Sequence, residues 1–131
     1  MNLGHVSVLI VEDVVAMRTR IKDICREIGF ASITCVSNGQ EAKVAMDVDD
    51  YQLILADWYT EPVSGFELLK LIRADQNRKN CAFVMVTAEN TRDKVIEAIK
   101  SGVDDYLVKP LTAAQLQSKV VSALVKRGVL R

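Results

Sequence analysis

Short apolar runs alternate along the chain with longer segments in which apolar residues recur every three or four positions. The short runs have the length and the Val, Ile and Leu content of buried strands, and the longer segments have the period of amphipathic helices. This alternation is typical of βαβ units and predicts an α/β domain with a parallel sheet. Five strands are predicted, at residues 6–11, 33–36, 53–56, 83–86 and 106–108.

The composition of these runs indicates where each strand lies in the sheet. Strands one, three and four are almost continuous Val, Ile and Leu, which suits central strands covered by helices on both faces. The second and fifth strands are expected at the edges. The segment 73–80 is expected to be a solvated loop.

Apolar stripes between the strands predict the core-facing sides of five helices. In the first helix, Met17, Ile21, Ile24 and Ile28 follow steps of four, three and four residues, and Gly29 is expected to end the helix. The other stripes are Ala42 and Ala45; Phe66, Leu69 and Ile72; Val95, Ala98 and Ile99; and Leu116, Val120 and Leu124.

Two capping signals predict where the third and fifth helices begin. Ser64 with Glu67, and Thr112 with Gln115, have the spacing of capping boxes, in which side chains satisfy the free amides of the first turn. We expect these helices to start directly after Ser64 and Thr112.

Composition limits the chain to a few classes of protein. Its 131 residues, 50% of them hydrophobic, suffice for one core, so a single domain over residues 1–131 without an output domain is expected. Seventeen basic residues balance seventeen acidic ones, which argues against nucleic acid or a membrane surface as a partner. No apolar stretch approaches the roughly 18 residues of a membrane span, so we expect a soluble, cytoplasmic protein.

Three cysteines lie in apolar segments without close spacing. Cys25, Cys35 and Cys81 are an odd set, which argues against a disulfide scaffold or a zinc site. We expect them to be buried, reduced thiols.

Five polar residues directly follow the predicted strands. They are Glu12 and Asp13 after the first, Asp57 after the third, Thr87 after the fourth and Lys109 after the fifth. Ligands of a doubly wound sheet bind beyond the carboxyl ends of its strands, where the strand order reverses, so we expect these side chains to meet there. Each acidic residue alone is typical of a solvated loop, but the joint placement favours a functional site.

The chemistry of this set points to phosphate. Three carboxylates packed together repel each other, and a hard divalent cation would relieve that repulsion. Mg²⁺ is the natural candidate, because it prefers oxygen ligands and binds carboxylates together with substrate phosphates. With the metal and Lys109 drawing charge from an incoming phosphate, a carboxylate can act as a nucleophile and form an acyl phosphate, and Thr87 can donate to a phosphate oxygen.

These residues lie in motifs that resemble the receiver domains of two-component response regulators, and together the motifs span essentially the whole chain. The resemblance implies a doubly wound, flavodoxin-like sheet of five parallel strands in the order 2-1-3-4-5, with five helices. The motifs are Leu9-Ile10-Val11-Glu12-Asp13, Asp57 with Gly65 eight residues on, Val86-Thr87-Ala88-Glu89, and Ser101-Gly102 running into Tyr106-Leu107-Val108-Lys109-Pro110.

The resemblance also implies which residues hold the metal. Asp57 is then the phosphoacceptor, Glu12 and Asp13 organise Mg²⁺ together with Asp57, and the backbone carbonyl of Tyr59 completes the metal shell.

Further residues are implied to read the phosphoryl group and to pass on the signal. Thr87 and Lys109 contact the phosphoryl group, Tyr106 is a rotameric switch, and the bond from Lys109 to Pro110 is cis. The face formed by the fourth helix, the fifth strand and the fifth helix would then meet the partner.

A closer likeness is to the single-domain chemotaxis regulators of this family. It rests on Met17-Arg18, Ala56-Asp57-Trp58 and residues 69–75 and 85–89. It implies a monomer that is not an enzyme beyond its own phosphorylation and dephosphorylation. A sensor histidine kinase would be the phosphodonor, and the flagellar motor switch would be the downstream partner.

The sequence departs from the family pattern around the loop after Asp57. Thr60-Glu61-Pro62 places proline one residue later than is common, Tyr59 replaces a frequent Asn, and Ser64 replaces a frequent Asp. We expect the Tyr59 ring to restrict the approach of water to an acyl phosphate.

Other functions remain as alternatives. A flavodoxin-like flavin carrier would need a phosphate-binding loop after the first strand, where Glu12 and Asp13 stand. Phosphatases with an aspartyl nucleophile often carry an acid/base Asp two residues on, where this chain has Tyr59. An unphosphorylated interaction module on the same fold, or a phosphate sink in another two-component pathway, is the remaining alternative.

Overall fold

A computed structural model describes residues 3–131, in which strands and helices alternate throughout. Each predicted strand matches an observed one to within one residue at either end. The strands are β1 (Ser7–Val11), β2 (Ser32–Val36), β3 (Leu53–Ala56), β4 (Ala82–Thr87) and β5 (Asp105–Val108). The helices are α1 (Val15–Ile28), α2 (Gly39–Val48), α3 (Gly65–Ala74), α4 (Arg92–Lys100) and α5 (Ala113–Lys126).

All neighbouring strands are parallel, and their order is β2-β1-β3-β4-β5, which confirms the predicted sheet. The strand order reverses at β1, because the chain adds β2 on one side and β3 on the other. Val11 lies opposite both Val36 and Ala56, so the ends of these strands are level. As predicted, β2 and β5 form the edges, while β3 and β4 are buried along their length.

Each face of the sheet carries a hydrophobic core. Val8 and Ile10 pack in the core shared with α1 and α5, whereas Leu9 and Val11 pack in the core shared with α2, α3 and α4. Burying one such side chain fully is worth about 1.5–3 kcal/mol. A slip of one residue would turn both sets to the wrong face, so packing fixes the strand register and with it the level of the strand ends.

Local signals set the helix ends as predicted. Gly29 has a φ of 123°, and its N–H donates to carbonyls of the last turn of α1. Thr112 and Gln115 form both halves of a capping box at α5. The hydroxyl of Ser64 accepts from the N–H of Glu67 at 3.0 Å, while the Glu67 carboxylate accepts from that hydroxyl rather than from the backbone.

One predicted core residue faces solvent instead. Ile99 is 60% exposed, and Ala98 is the buried residue of α4. Successive helical residues are turned by about 100°, so the face that buries Ala98 turns Ile99 outward. α4 therefore has the smallest buried stripe of the five helices.

The expected solvated loop at 73–80 begins inside α3 and is partly buried. Arg73 donates to the carbonyl of Gly102 at 2.9 Å and pairs with Asp104 at 3.0 Å. The Asp104 side chain is fully buried and also accepts from the N–H of Phe83 and from Nε of Arg127, at 2.9 and 2.8 Å. This network, the Asp104 clamp, ties α3 and α5 to the amino end of β5.

Of the three cysteines, only Cys25 is fully buried. Cys35 and Cys81 are half-buried, and all three are free thiols. Burial raises the pKa of Cys25 to about 12. Within residues 3–131, no helix combines the length and the apolar character that crossing a bilayer requires.

Candidate metal and phosphoryl site

Three carboxylates meet beyond the carboxyl ends of β1 and β3. The N–H of Glu12 donates to the carbonyl of Val36 and that of Asp57 to the carbonyl of Val11, both at 3.0 Å, so the two residues leave the sheet side by side. Asp13 follows Glu12. Each carboxylate has an oxygen within 4.8 Å of the others, with Glu12 buried, Asp57 half-buried and Asp13 exposed. The structure thus brings together the three predicted metal ligands that have carboxylate side chains.

Lys109 reaches the same place from the end of β5. Its Nζ lies 2.5 Å from Glu12 Oε1 and 3.3 Å from Asp57 Oδ2. Its backbone N–H donates to the carbonyl of Thr87 at 2.9 Å, which fixes the start of the loop. The bond from Lys109 to Pro110 is cis, as expected.

Burial and charge act against each other in this cluster. Burial raises the pKa of Glu12, although the hydrogen bond from Lys109 works in the opposite direction. Burial alone would lower the pKa of Lys109, but the hydrogen bond to Glu12 and the charge of Asp57 outweigh it and raise that pKa. One ammonium is therefore firmly held as a cation, and it cannot neutralise three carboxylates.

One oxygen of the cluster has no hydrogen-bond partner in the part of the chain that the structure describes. Asp57 Oδ1 is buried and accepts no hydrogen bond from the described residues. A buried carboxylate oxygen is costly unless a donor or a cation meets it. With Glu12 and Asp13 it forms an oxygen-only donor set, which is the set that Mg²⁺ prefers. These side chains fit a hard divalent cation, and the Tyr59 carbonyl as a further ligand stays a prediction.

Two hydroxyl side chains lie at the neighbouring strands. Thr87 is buried at the end of β4, and its Oγ1 accepts from the N–H of Glu89 at 3.3 Å. The hydroxyl of Tyr106, on β5, donates to the carbonyl of Glu89 at 2.7 Å. Burial raises the pKa of Tyr106 to about 12, so this donor keeps its proton at neutral pH. Their roles as phosphoryl contact and switch stay predictions.

Tyr59 lies in the segment after β3, two residues past Asp57, and lines an open pocket together with Asp13. Its side chain is 54% exposed, and its hydroxyl donates to the carboxylate of Glu89. This bond raises the pKa of Tyr59 and lowers that of Glu89. Sequence reasoning assigned no role to Glu89, although it ends a quoted motif, and it also missed that the bond from Glu61 to Pro62 is cis.

Close backbone packing of Gly65 fixes the position of Asp57. The N–H of Gly65 donates to the carbonyl of Trp58 at 3.0 Å, and a Cβ at Gly65 would lie 1.9 Å from the carbonyl oxygen of Asp57. Trp58 is buried and stacks on Phe66, with ring centroids 4.5 Å apart. The Asp57 and Gly65 spacing of the sequence motif therefore has a steric reason.

The arrangement can receive a phosphoryl group. An open pocket reaches one of the three carboxylates, that of Asp13, and is lined further by Tyr59 and Pro62, among others. A carboxylate with a free oxygen can act as a nucleophile, and adjacent cations stabilise the charge on the transferring group.

The comparisons with known proteins agree with this geometry. The response regulator receiver domain family matches residues 8–121. The chain is 37% identical to the chemotaxis protein CheY-3 of Vibrio cholerae over 116 residues, which cover 88% of this chain and 89% of that protein. It is also 37% identical to the chemotaxis protein CheY of Pseudomonas aeruginosa over 113 residues, 86% of this chain and 91% of that one.

Solved structures show the same likeness. The receiver domain of the Francisella response regulator 1452 superposes with a TM-score of 0.83 at 29% identity, over 93% of this chain and 98% of that one. The receiver domain of the sensor histidine kinase PA1611 from Pseudomonas aeruginosa gives 0.81 at 27% identity, over 91% and 97%, and holds a magnesium ion in its active site cleft. The chain belongs to the family of response regulator receiver domains, which are phosphoacceptor regulators rather than classical enzymes.

Proposed function

We propose that this chain is a phosphorylation-activated switch that accepts a phosphoryl group on Asp57 from a sensor histidine kinase, with Mg²⁺. The observation that carries the proposal is the buried Oδ1 of Asp57, which accepts no hydrogen bond within residues 3–131 and lies beside two further carboxylates. The other oxygen of Asp57, Oδ2, lies 3.3 Å from the Lys109 ammonium. A carboxylate kept only for stability would have both oxygens satisfied.

The proposed metal ligands are Glu12, Asp13, Asp57 and the backbone carbonyl of Tyr59. When bound, Mg²⁺ supplies positive charge beside the phosphoryl oxygens. The magnesium ion in the receiver domain of PA1611 supports this assignment.

In the proposed reaction, an oxygen of Asp57 attacks the phosphorus of a phosphohistidine on the kinase. An O–P bond forms and the P–N bond breaks, and the electron pair stays on the imidazole nitrogen. The Lys109 ammonium, already within reach of Asp57, then faces the new negative charge, and the Thr87 hydroxyl donates to a phosphoryl oxygen.

The output follows from the added charge. A phosphoryl group brings about −1.5 to −2 charges at neutral pH. Thr87 is drawn towards it, and Tyr106 moves towards the space that Thr87 leaves. The exposed Ile99 and the half-buried β5 support the face formed by α4, β5 and α5 as the surface that the partner reads.

For the pathway, we propose chemotaxis, with the flagellar motor switch as the partner. The two chemotaxis relatives at 37% identity support it. A phosphate sink in another two-component pathway is the competing proposal, and it predicts no change in affinity for the motor switch.

The first test is the intact mass after incubation with acetyl phosphate and Mg²⁺. We expect one added phosphoryl group in the native protein and none in Asp57→Asn. The matched control is Asp50→Asn, which should label normally. Asp50 is an exposed aspartate that precedes β3, at the amino ends of the strands. Undiminished labelling of Asp57→Asn would place the acceptor elsewhere.

The second test is a binding titration of the motor switch protein with and without beryllofluoride. Typical coupling of 1–3 kcal/mol predicts an affinity gain of roughly 5- to 150-fold. Thr87→Ala and Tyr106→Ala should each reduce that gain. If both variants keep it in full, the signal does not pass through these two residues.

A further inference from the structure

The outer edge of β2 is open. β2 pairs with β1 on one side, and no strand within residues 3–131 pairs with its other side. The carbonyl of Val36 accepts the N–H of Glu12, so the backbone groups of Val36 face β1. Because these groups alternate in direction along a strand, those of Ile33 and Cys35 face outward. The N–H and carbonyl groups of both residues are therefore without a strand partner in the described chain.

This β2 edge, formed by the outward groups of Ile33 and Cys35, has none of the features that usually prevent strand addition. Edge strands of natural proteins are protected by charged side chains, by proline or by a covering element. The five residues of β2, SITCV, include neither a charge nor a proline. Ser32 is exposed and the other residues of the strand are half-buried. A further extended segment can therefore approach the edge.

A row of positive charge lies beside the β2 edge on the α1 side. Arg18, Lys22 and Arg26 follow at steps of four residues, so they share one side of α1, and we call them the cationic row. Arg18 donates to the hydroxyl of Ser37, directly after β2, at 3.0 Å. Burial raises the pKa of Cys35, but the charges of the three cations act in the opposite direction, so all three lie near the strand. Within residues 3–131, none of them forms an ion pair with a carboxylate.

Spacing and charge indicate what fits this surface. Residues four apart on a helix are separated by about 6 Å, and alternate residues of a strand by about 6.6–6.8 Å. Acidic side chains at every second position of an added strand therefore match the spacing of the cationic row. A nucleic acid or a lipid headgroup supplies negative charge, but neither supplies the regular amides and carbonyls that pair with a strand edge.

We propose that the β2 edge and the cationic row bind an extended acidic segment of a partner protein, which adds to the five-stranded sheet as a further strand. Main-chain hydrogen bonds to Ile33 and Cys35 supply affinity, and the cationic row selects carboxylates at alternate positions. The inference does not rest on the proposed function, because none of these groups is a proposed metal ligand or phosphoryl contact.

The probe is a synthetic peptide of alternating Glu and Thr, titrated into the native protein and followed by NMR. We expect amide hydrogen exchange at Ile33 and Cys35 to slow when the peptide binds, because both N–H groups then donate to it. The amide of Thr34, which faces β1, should change little. The same peptide with Lys in place of Glu should not bind, and added salt should weaken binding of the acidic peptide.

The test variant is Lys22→Gln combined with Arg26→Gln. It leaves Arg18 in place, because Arg18 also donates to the backbone beside the acidic site. Loss of two exposed ion pairs should weaken peptide binding by about 2- to 30-fold. The matched control is Lys43→Gln combined with Lys79→Gln, which removes the same charge from exposed lysines on α2 and after α3 and should bind as the native protein does.

Slower exchange at both edge amides, with affinity lost in the test variant and kept in the control, supports the proposal. Absence of binding, binding without that protection, or full affinity in the test variant overturns it. Tighter binding of single-stranded DNA or of phosphatidylserine vesicles than of the acidic peptide also overturns it, because the cationic row then serves another ligand. Protection of the edge amides that grows with protein concentration, without peptide, overturns it as well, since a second copy then occupies the edge.

Discussion

Lys109→Met should destabilise the metal-free protein, because it leaves the buried Glu12 carboxylate without its counter-ion, with the N–H of Val14 still donating to Oε2. The Lys109 ammonium lies 2.5 Å from Glu12 and 3.3 Å from Asp57, and the Glu12 side chain is only 1% exposed. Removing one member of a buried ion pair costs about 3–5 kcal/mol. Lys109 itself keeps 15% exposure, so we expect a loss of about 2–4 kcal/mol in the free energy of unfolding.

Mg²⁺ should narrow the difference in the free energy of unfolding between Lys109→Met and the native protein. Without the ammonium, nothing competes with the cation for the carboxylates, so the variant should bind Mg²⁺ more tightly than the native protein does. Because both proteins bind Mg²⁺, the difference in their free energies of unfolding narrows by about 1.4 kcal/mol for each tenfold by which the variant binds more tightly. Urea unfolding followed by circular dichroism, in EDTA and in Mg²⁺, measures both effects.

Lys119→Met is the matched control for the lost charge. Lys119 pairs with Asp105 at 3.2 Å, but both side chains are partly exposed, so its loss should cost only about 0–1 kcal/mol. If Lys109→Met costs no more than this control, or if Mg²⁺ leaves the difference between Lys109→Met and the native protein unchanged, Lys109 does not stabilise the buried carboxylates.

Three further substitutions test the packing. Gly65→Ala should lower the melting temperature and impair labelling, because its Cβ would fall 1.9 Å from the Asp57 carbonyl oxygen, and native behaviour would show that the backbone relaxes freely. Native stability should fall as pH rises from 9.0 to about 12, because the unfolded Cys25 thiol ionises there while the folded one stays protonated. In Cys25→Ala, the free energy of unfolding measured in urea should fall less steeply with pH, by up to about 1.4 kcal/mol per pH unit. The same slope in the variant and the native protein would contradict this prediction. Asp104→Asn should lower the free energy of unfolding, measured in urea, by about 2–4 kcal/mol, because it leaves Arg73 and Arg127 without their buried anion. A loss below about 1 kcal/mol would show that the Asp104 clamp contributes little to stability.

Most of the fold could be predicted because local patterns and global packing agree in this chain. β1 and β3 show almost continuous apolar runs because both faces are covered. Gly29 and Thr112 mark helix ends through their own backbone and side-chain chemistry. Ile99 was misplaced because a stripe gives the face of a helix only to within one residue, and the width of the buried face depends on the neighbouring helices.

The candidate site was predictable in its composition but not in its contacts. The strand ends place Glu12, Asp57 and Lys109 together in any sheet of this order. That Lys109 bonds Glu12 more closely than Asp57, and that Tyr59 reaches Glu89, depends on the loop geometry, which no local pattern encodes. The burial of Asp104 was not predictable either. Two adjacent acidic residues at the start of a strand are typical of a solvated turn, but here the Asp104 side chain is fully buried.

The Asp104 clamp and the acidic site occupy opposite ends of β5. Asp104 precedes this strand and Lys109 follows it, so the four intervening residues separate them by about 16 Å. Substitutions more than about 7–10 Å apart with no shared partner are usually additive in free energy. The energetic effects of Asp104→Asn and Lys109→Met should therefore simply sum in the double variant. A chain organised in this way can gain or lose stability at one end of its sheet while the chemistry at the other end diverges independently.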